Sequence, residues 1–96
     1  MSLVFEWHPR KALANLRKHG VSFVEAVSVF SDPLARIFLD EEHSADEPRE
    51  IIIGHTSPGR LLLVCFTEQT GGCVRIISAR PATRKELQDY EDQVSN

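Results

Sequence analysis

The stretch "RLLLVCFTEQTGGCVRIISAR" (residues 60–80) decides the fold, because it holds two apolar segments on either side of a short turn. Residues 60–67 and 73–80 predict strands, and "EQTGG" between them has the glycines typical of a tight turn. Two further strand-like segments precede them, "LARIFLD" (34–40) and "REIIIGHT" (49–56). Consecutive strands joined by short turns predict an antiparallel sheet.

Helix signals lie on both sides of these strands. Pro9 after the strand-like "LVFEW" (3–7) predicts the start of a helix that ends at Gly20. A second helix follows Ser22, and a closing helix from 84 to about 94 follows Thr83, each with a glutamate three residues on that completes a capping box. The predicted order is β-α-α-β-β-β-β-α, an α+β fold in which a small antiparallel sheet is packed by two N-terminal helices and a C-terminal helix.

Composition is that of one ordinary globular domain spanning residues 1–96, with 42% apolar and 26% charged residues. No apolar run approaches the roughly 18 to 20 residues of a transmembrane helix, and the N-terminus lacks the features of a signal peptide. We therefore expect a cytoplasmic protein with no membrane association. Cys65 and Cys73 are expected to be reduced thiols, since two cysteines without further Cys or His ligands nearby do not make a zinc site.

The formal net charge of −3 hides an uneven distribution. Six of the fourteen acidic residues lie in residues 40–50 and four lie in residues 86–96; the rest of the chain has four acidic and ten basic residues, a net of +6. This pattern favours an anionic ligand on a basic face, with solubility as the alternative reason for the charge.

Positive side chains are predicted on the first helix and at strand ends. Lys11, Asn15 and Lys18 have the spacing of one helix face, whereas Leu13 and Leu16 are expected to point into the core. The alternative for the lysines is a solvated helix face.

Strand alternation predicts that Arg75 and Arg80 lie on opposite faces of the last strand. Arg80 precedes Pro81 and the closing helix, whose free N–H groups would add positive potential there. Arg49 and Arg60 each begin a strand, where an edge-protecting charge is the alternative to a ligand-binding role.

Familiar catalytic signatures, such as a glycine-rich phosphate loop or HExxH, are absent from the sequence. The available arginines, lysines and histidines suit metal-free phosphodiester chemistry, in which cations stabilise a pentacoordinate phosphorane and a titratable group moves the proton. His19, at the end of the first helix, is one such group; a hydrogen bond to a backbone carbonyl is its alternative role. No cofactor or metal is predicted.

Four segments together resemble the BrnT family of toxins: "FEW-P-K--AN--KHGVSF-EAVSVF-DP" (5–33), "R----G" (49–54), "GRLLLVCFTE" (59–68) and "RIISAR-AT--E---YE" (75–91). The resemblance implies a RelE-like fold and a ribonuclease toxin of a type II toxin–antitoxin system that cleaves RNA and inhibits translation. It implies neutralisation by a BrnA-like ribbon-helix-helix antitoxin, through which the toxin would meet DNA only indirectly. The resemblance implies as catalytic residues His19, Arg75, Arg80 and Tyr90, and as RNA-binding residues Lys18, Arg49 and Arg60. Lys11, which has the spacing of the same helix face as Lys18, is also predicted to bind RNA.

The sequence departs from the family pattern at two places, and the second of them, together with the acidic segments 40–50 and 86–96, supports an alternative function. His8 stands where the family usually has an aspartate, and "EQTGG" (68–72) lacks a basic residue that the family commonly has there. The alternative is a catalytically inactive relative that binds the antitoxin and modulates its DNA binding.

Overall fold

The computed structural model describes residues 3–44 and 47–95. Its strands are β1 (Val4–Glu6), β2 (Arg36–Leu39), β3 (Glu50–His55), β4 (Leu61–Gln69) and β5 (Cys73–Pro81). Its helices are α1 (Pro9–His19), α2 (Phe23–Val27) and α3 (Arg84–Ser95), and short 3-10 turns cover Ser28–Ser31, Glu41–His43 and Thr70–Gly72.

The predicted helix starts are confirmed by N-cap hydrogen bonds, but the Glu25 carboxylate binds Arg60 instead of completing the capping box predicted for α2. Ser22 Oγ accepts from the backbone N–H of Glu25 at 3.0 Å, and His8 Nδ1 accepts from that of Arg10 at 3.1 Å. Gly20 ends α1 in the left-handed conformation, with φ of 69°. His8 therefore caps α1 although it stands where an acidic cap was expected.

The sheet is mixed, which corrects the prediction of a purely antiparallel one. Its strand order is β1-β5-β4-β3-β2, and β1 pairs with β5 in parallel, Phe5 lying opposite Val74. The other neighbours are antiparallel, as the turns between them require. Period-2 alternation carries no information about which distant strand will pair with β1, so the parallel contact was not predictable from it.

One face of the sheet is covered by α1 and α2, and Asn15 joins α1 to the sheet. The Asn15 amide donates to the carbonyls of Val21 and Ala79 at 3.0 and 2.8 Å, and its oxygen accepts from the Ala79 N–H at 3.0 Å. Asn15 is therefore buried, whereas Leu13 and Leu16 are exposed. The predicted orientation of α1 was wrong because these three hydrogen bonds determine which face meets the sheet.

A β-bulge interrupts β5. Cys65 lies opposite Ser78, but the next residue of β4, Phe66, lies opposite Ile76, so Ile77 is an extra residue in β5. A bulge of this kind reverses the alternation of side chains along the strand.

The bulge brings Arg75 and Arg80 to the same face of the sheet, where opposite faces were predicted. Thr67 lies opposite Arg75 and Leu63 lies opposite Arg80. Thr67 and Leu63 are four residues apart in an uninterrupted strand and share a face, so their partners share it too.

The second face of the sheet packs partly against α3. Tyr90 is buried there with Ile53, Leu61 and Leu63. Towards β4 and β5 this face is open and forms the site described below. No helix in the described part of the chain combines the length and apolar character that crossing a bilayer requires.

Candidate functional site

A cavity of about 350 Å³ lies on the α3 side of the sheet. Its floor is formed by strand side chains and its rim by polar ones; the lining residues are Asp40, His43, Arg49, Ile51, Leu63, Cys65, Ile77, Ser78 and Arg80. Two guanidinium groups and one imidazole therefore share a single cavity. Such a set can bind an anion and exchange a proton with it.

Arg80 is held in this cavity by Glu86 of α3. Arg80 Nη1 and Nη2 donate to the two carboxylate oxygens of Glu86 at 2.8 and 2.9 Å, and Nη1 also donates to the Pro81 carbonyl at 3.3 Å. The Arg80 guanidinium holds the pKa of Glu86 at about 2, well below its ordinary value of 4.5. Arginine has five N–H donors, so the guanidinium keeps donors for a second anion while Glu86 fixes its plane.

The same glutamate also caps α3. The backbone N–H of Glu86 donates to Thr83 Oγ1 at 3.1 Å, and the Thr83 N–H donates to Glu86 Oε1 at 2.8 Å. This confirms the predicted capping box. It also changes the expected anion site, because the Glu86 carboxylate already occupies the helix N-terminus beside Arg80.

Arg49 reaches the cavity from a loop closed by one backbone hydrogen bond and one to a serine side chain. The Asp40 N–H donates to the Arg49 carbonyl at 2.8 Å, and the Arg49 N–H donates to Ser44 Oγ at 2.9 Å. These contacts join the end of β2 to the start of β3 and place Arg49 at the same rim as Asp40 and His43.

Asp40 and His43 form a carboxylate–imidazole pair at this rim. His43 Nδ1 lies 3.0 and 3.2 Å from the two carboxylate oxygens of Asp40, a separation suited to a hydrogen bond from Nδ1–H. A carboxylate in this position favours the tautomer whose Nε2 is free to accept a proton. The pair therefore has the arrangement of a histidine general base that is oriented by a carboxylate.

Cys65, which also lines the cavity, is not a nucleophile of the usual kind. Burial raises the pKa of its thiol above the ordinary value, with a smaller contribution from Asp40. A raised pKa keeps the thiol protonated at neutral pH, and the thiolate is the reactive form.

Arg60 and Arg75, which we predicted to be site residues, form ion pairs outside the cavity. Arg60 donates to both carboxylate oxygens of Glu25, from Nε at 2.9 Å and from Nη2 at 2.6 Å. Arg75 Nε donates to Glu6 across the β1–β5 contact at 2.9 Å. Each pairing lowers the pKa of its glutamate, through the arginine hydrogen bond for Glu25 and through those from Cys73 and Arg75 for Glu6.

Tyr90 and the residues of α1 also lie away from the cavity. Tyr90 is 3% exposed and its hydroxyl donates to the Leu34 carbonyl at 3.0 Å. Lys11 and Lys18 are exposed and His19 is half-buried on α1, which packs on the opposite face of the sheet. Of the eight predicted residues, the structure thus brings only Arg49 and Arg80 together.

The polar residues of this region that were not predicted as site residues are Asp40, His43, Ser78 and Glu86, of which Glu86 was expected only as a helix cap. The spacing of three between Asp40 and His43 is a usable signal, but the composition of residues 40–50 draws attention only to their negative charge. The charge separation seen along the sequence is not kept in space: both acidic segments contribute to the region of Arg49 and Arg80.

Comparison with known proteins gives a family and a shared fold. Residues 7–86 match the family described as the ribonuclease toxin BrnT of type II toxin–antitoxin systems. A search of curated protein sequences gives no significant match. Among solved structures, the 1.1 Å crystal structure of the Brucella abortus ribonuclease toxin BrnT is similar, with a TM-score of 0.67 and 22% identity over 86% of this chain and 100% of that one. At that identity the structural likeness concerns the fold.

Proposed function

Because this chain belongs to the BrnT family of ribonuclease toxins of type II toxin–antitoxin systems, we propose that it is an endoribonuclease whose active site is the cavity lined by Arg49 and Arg80. The observation that carries the proposal is the meeting of these two guanidinium groups with the Asp40–His43 pair in one cavity. Cations stabilise the charge of a phosphorane, and a histidine paired with a carboxylate moves the proton, so the cavity supplies both requirements.

In the proposed reaction, His43 Nε2 removes the proton from a ribose 2′-hydroxyl. The 2′-oxygen attacks the adjacent phosphorus, the bond from phosphorus to the 5′-oxygen breaks, and the leaving oxygen takes a proton from a water molecule, which in turn takes the proton held by His43 and so restores the base. The products are a 2′,3′-cyclic phosphate and a 5′-hydroxyl end. Arg80, fixed by Glu86, and Arg49 bind the non-bridging oxygens, whose charge grows in the transition state.

We propose that the reaction needs no metal ion, since the arginines supply the positive charge. Among the described residues, Asp40, Glu42 and His43 have ligand atoms within 4.8 Å of one another and could hold an ion. The proposal therefore requires a direct test: cleavage should continue in EDTA. Loss of cleavage in EDTA with recovery on adding Mg²⁺ or Mn²⁺ would make the metal-independent scheme wrong.

The family implies an antitoxin partner. We propose that this partner is a BrnA-like ribbon-helix-helix protein and that, within the complex, the antitoxin makes the contacts with DNA. Inhibition of translation through RNA cleavage, a cytoplasmic location and the RelE-like classification of the fold are parts of the same proposal. Expression of the chain alone should arrest growth, and expression together with the antitoxin should restore it.

The decisive experiment measures RNA cleavage by the purified chain and by three variants: Arg49→Ala, Arg80→Ala and His43→Ala. Each should lose roughly 10²-fold in rate, the scale of removing one transition-state donor or a general base. Arg10→Ala, which removes an exposed cation of α1, serves as the matched control and should keep its activity. Full activity in all three cavity variants would place the active site elsewhere.

A second candidate function is that of an inactive relative that binds the antitoxin and modulates its DNA binding. It is favoured by the carboxylates that already pair with Arg60, Arg75 and Arg80. The same assay separates the two functions: this alternative requires no cleavage by the wild-type chain while the antitoxin still binds.

A further inference from the structure

Strand β2 forms an edge of the sheet with apolar side chains on both of its faces. Ile37, Phe38 and Leu39 are 54%, 47% and 53% exposed. Exposed apolar edge strands are normally avoided, because their unpaired backbone groups can pair with another chain. A partner strand at β2 would bury these side chains and satisfy the backbone together.

The backbone groups that β2 presents outwards can be assigned from its pairing with β3. The Asp40 N–H donates to the Arg49 carbonyl, so position 40 points its backbone groups towards β3. Alternate residues of an antiparallel strand point the same way. Positions 36 and 38 therefore also pair inwards, while Ile37 and Leu39 present their N–H and C=O groups to the open edge.

We propose that two copies of this chain associate through β2, antiparallel about a two-fold axis at Phe38, and so form one continuous ten-stranded sheet. In this register Ile37 exchanges backbone hydrogen bonds with Leu39 of the second copy. The two Phe38 side chains meet at the axis, on the α3 side of the sheet. An isologous contact of this kind is closed, so the assembly stops at a dimer.

Charge complementarity favours this strand register, and it favours a second copy of the chain as the partner of β2. With Phe38 opposite Phe38, Arg36 of each copy lies opposite Asp40 of the other, in the closely spaced type of cross-strand pair. The two paired β2 strands thus gain two ion pairs, each between Arg36 of one copy and Asp40 of the other. Shifting the axis to Ile37 places Arg36 opposite Phe38 and loses both ion pairs.

Both charged groups can take part while keeping their present contacts. Arg36 donates from Nη2 to the Gln93 carbonyl at 3.1 Å, which leaves other guanidinium donors available for Asp40. The carboxylate of Asp40 accepts from His43 and has further lone pairs. Because Asp40 lines the cavity, the partner's arginine would also offset a negative charge beside the proposed anion site.

The test uses the full chain, made by cell-free synthesis, and measures its mass by light scattering. Because so short a strand contact gives a weak dimer, the mass is measured across a roughly hundred-fold range of concentration. We expect the mass to rise towards twice 10.8 kDa. Arg36→Asp and Asp40→Arg each turn two attractive pairs into two repulsive ones, so each alone should raise the dimer dissociation constant roughly tenfold or more. Arg10→Asp is the matched charge reversal on the distant α1 and should dimerise normally.

Mixing the two charge variants gives the sharpest result. An Arg36→Asp chain and an Asp40→Arg chain restore both opposite-charge pairs in a heterodimer, so differently tagged copies should bind each other more tightly than either binds itself. A monomer at every concentration, or a dimer that both single reversals leave unchanged, would overturn the proposal. A monomer whose β2 amides become protected from hydrogen exchange only with the antitoxin would assign the edge to the antitoxin instead.

Discussion

Replacing Glu86 by glutamine tests whether the ion pair at the cavity stabilises the fold. A fall in the pKa of Glu86 from 4.5 to about 2 corresponds, before screening, to about 3 kcal/mol. The side chains of Arg80 and Glu86 are 41% and 30% exposed, so solvent screening reduces this to about 1 kcal/mol. For a domain of this size, Glu86→Gln should lower Tm at pH 7 by about 4–8 °C.

The pH dependence identifies ionisation as the cause. The pKa of Glu86 is lower in the folded than in the unfolded chain, so its contribution is fully present above the unfolded value and is lost as pH falls towards the folded value of about 2. The Tm difference between wild type and Glu86→Gln should therefore be constant above about pH 5 and should vanish near pH 2. Glu91→Gln, an exposed change on the same helix, is the control and should shift Tm little. A difference that stays constant down to pH 2 would show that packing, not charge, is responsible.

The same variant tests whether Glu86 acts on cleavage through Arg80. With the guanidinium less firmly held, we expect Glu86→Gln to reduce the cleavage rate roughly tenfold, mainly in kcat, compared with roughly 10²-fold for Arg80→Ala. The double variant should match Arg80→Ala alone, since nothing remains for Glu86 to hold. If the two losses multiply, Glu86 acts independently of Arg80 and the positioning role is refuted.

Three other substitutions test the framework around the site by thermal unfolding and cleavage. Asn15→Ala removes three buried hydrogen bonds to Val21 and Ala79 and should cost about 2–4 kcal/mol; a loss below about 1 kcal/mol would mean that water replaces the amide. Gly54→Ala would bring a new Cβ to 2.9 Å from that of Ala35 and should cost about 1–3 kcal/mol, whereas unchanged stability would show that β3 can move away. Tyr90→Phe removes the hydrogen bond to Leu34 and should cost about 1 kcal/mol with cleavage retained; lost cleavage in a folded variant would return Tyr90 to the catalytic group.

Local sequence signals predicted the elements of this fold but not how they meet. The Thr83–Glu86 capping box and the left-handed Gly20 depend on residues within a few positions, and both are present. The parallel pairing of β1 with β5 depends on a contact between residues about 70 positions apart. No periodicity within β1 contains that information.

The site was harder to predict than the fold because single residues decide it. The extra residue Ile77 reverses the alternation in β5 and moves Arg80 to the face of Arg75. Asn15 was assigned to a polar helix face, but a side chain with both a donor and an acceptor can satisfy backbone groups in the core. Arguments from periodicity treat every polar residue as exposed. They therefore predicted that the face of α1 containing Asn15 is solvent-exposed, whereas that face packs on the sheet.

Positive charge counted along the chain is a poor measure of the charge that a ligand meets. Arg60 and Arg75 face glutamates 35 and 69 residues away in sequence, and each pair joins two elements of the fold. The side chains are 41% and 19% exposed in the Arg60–Glu25 pair and 47% and 45% exposed in the Arg75–Glu6 pair, so solvent screening keeps their contribution to stability small. Arg80 differs, because its glutamate comes from the helix cap and its guanidinium lines a cavity. An anion that enters there meets a donor array already held in one plane, which is the condition under which an arginine stabilises a transition state most effectively.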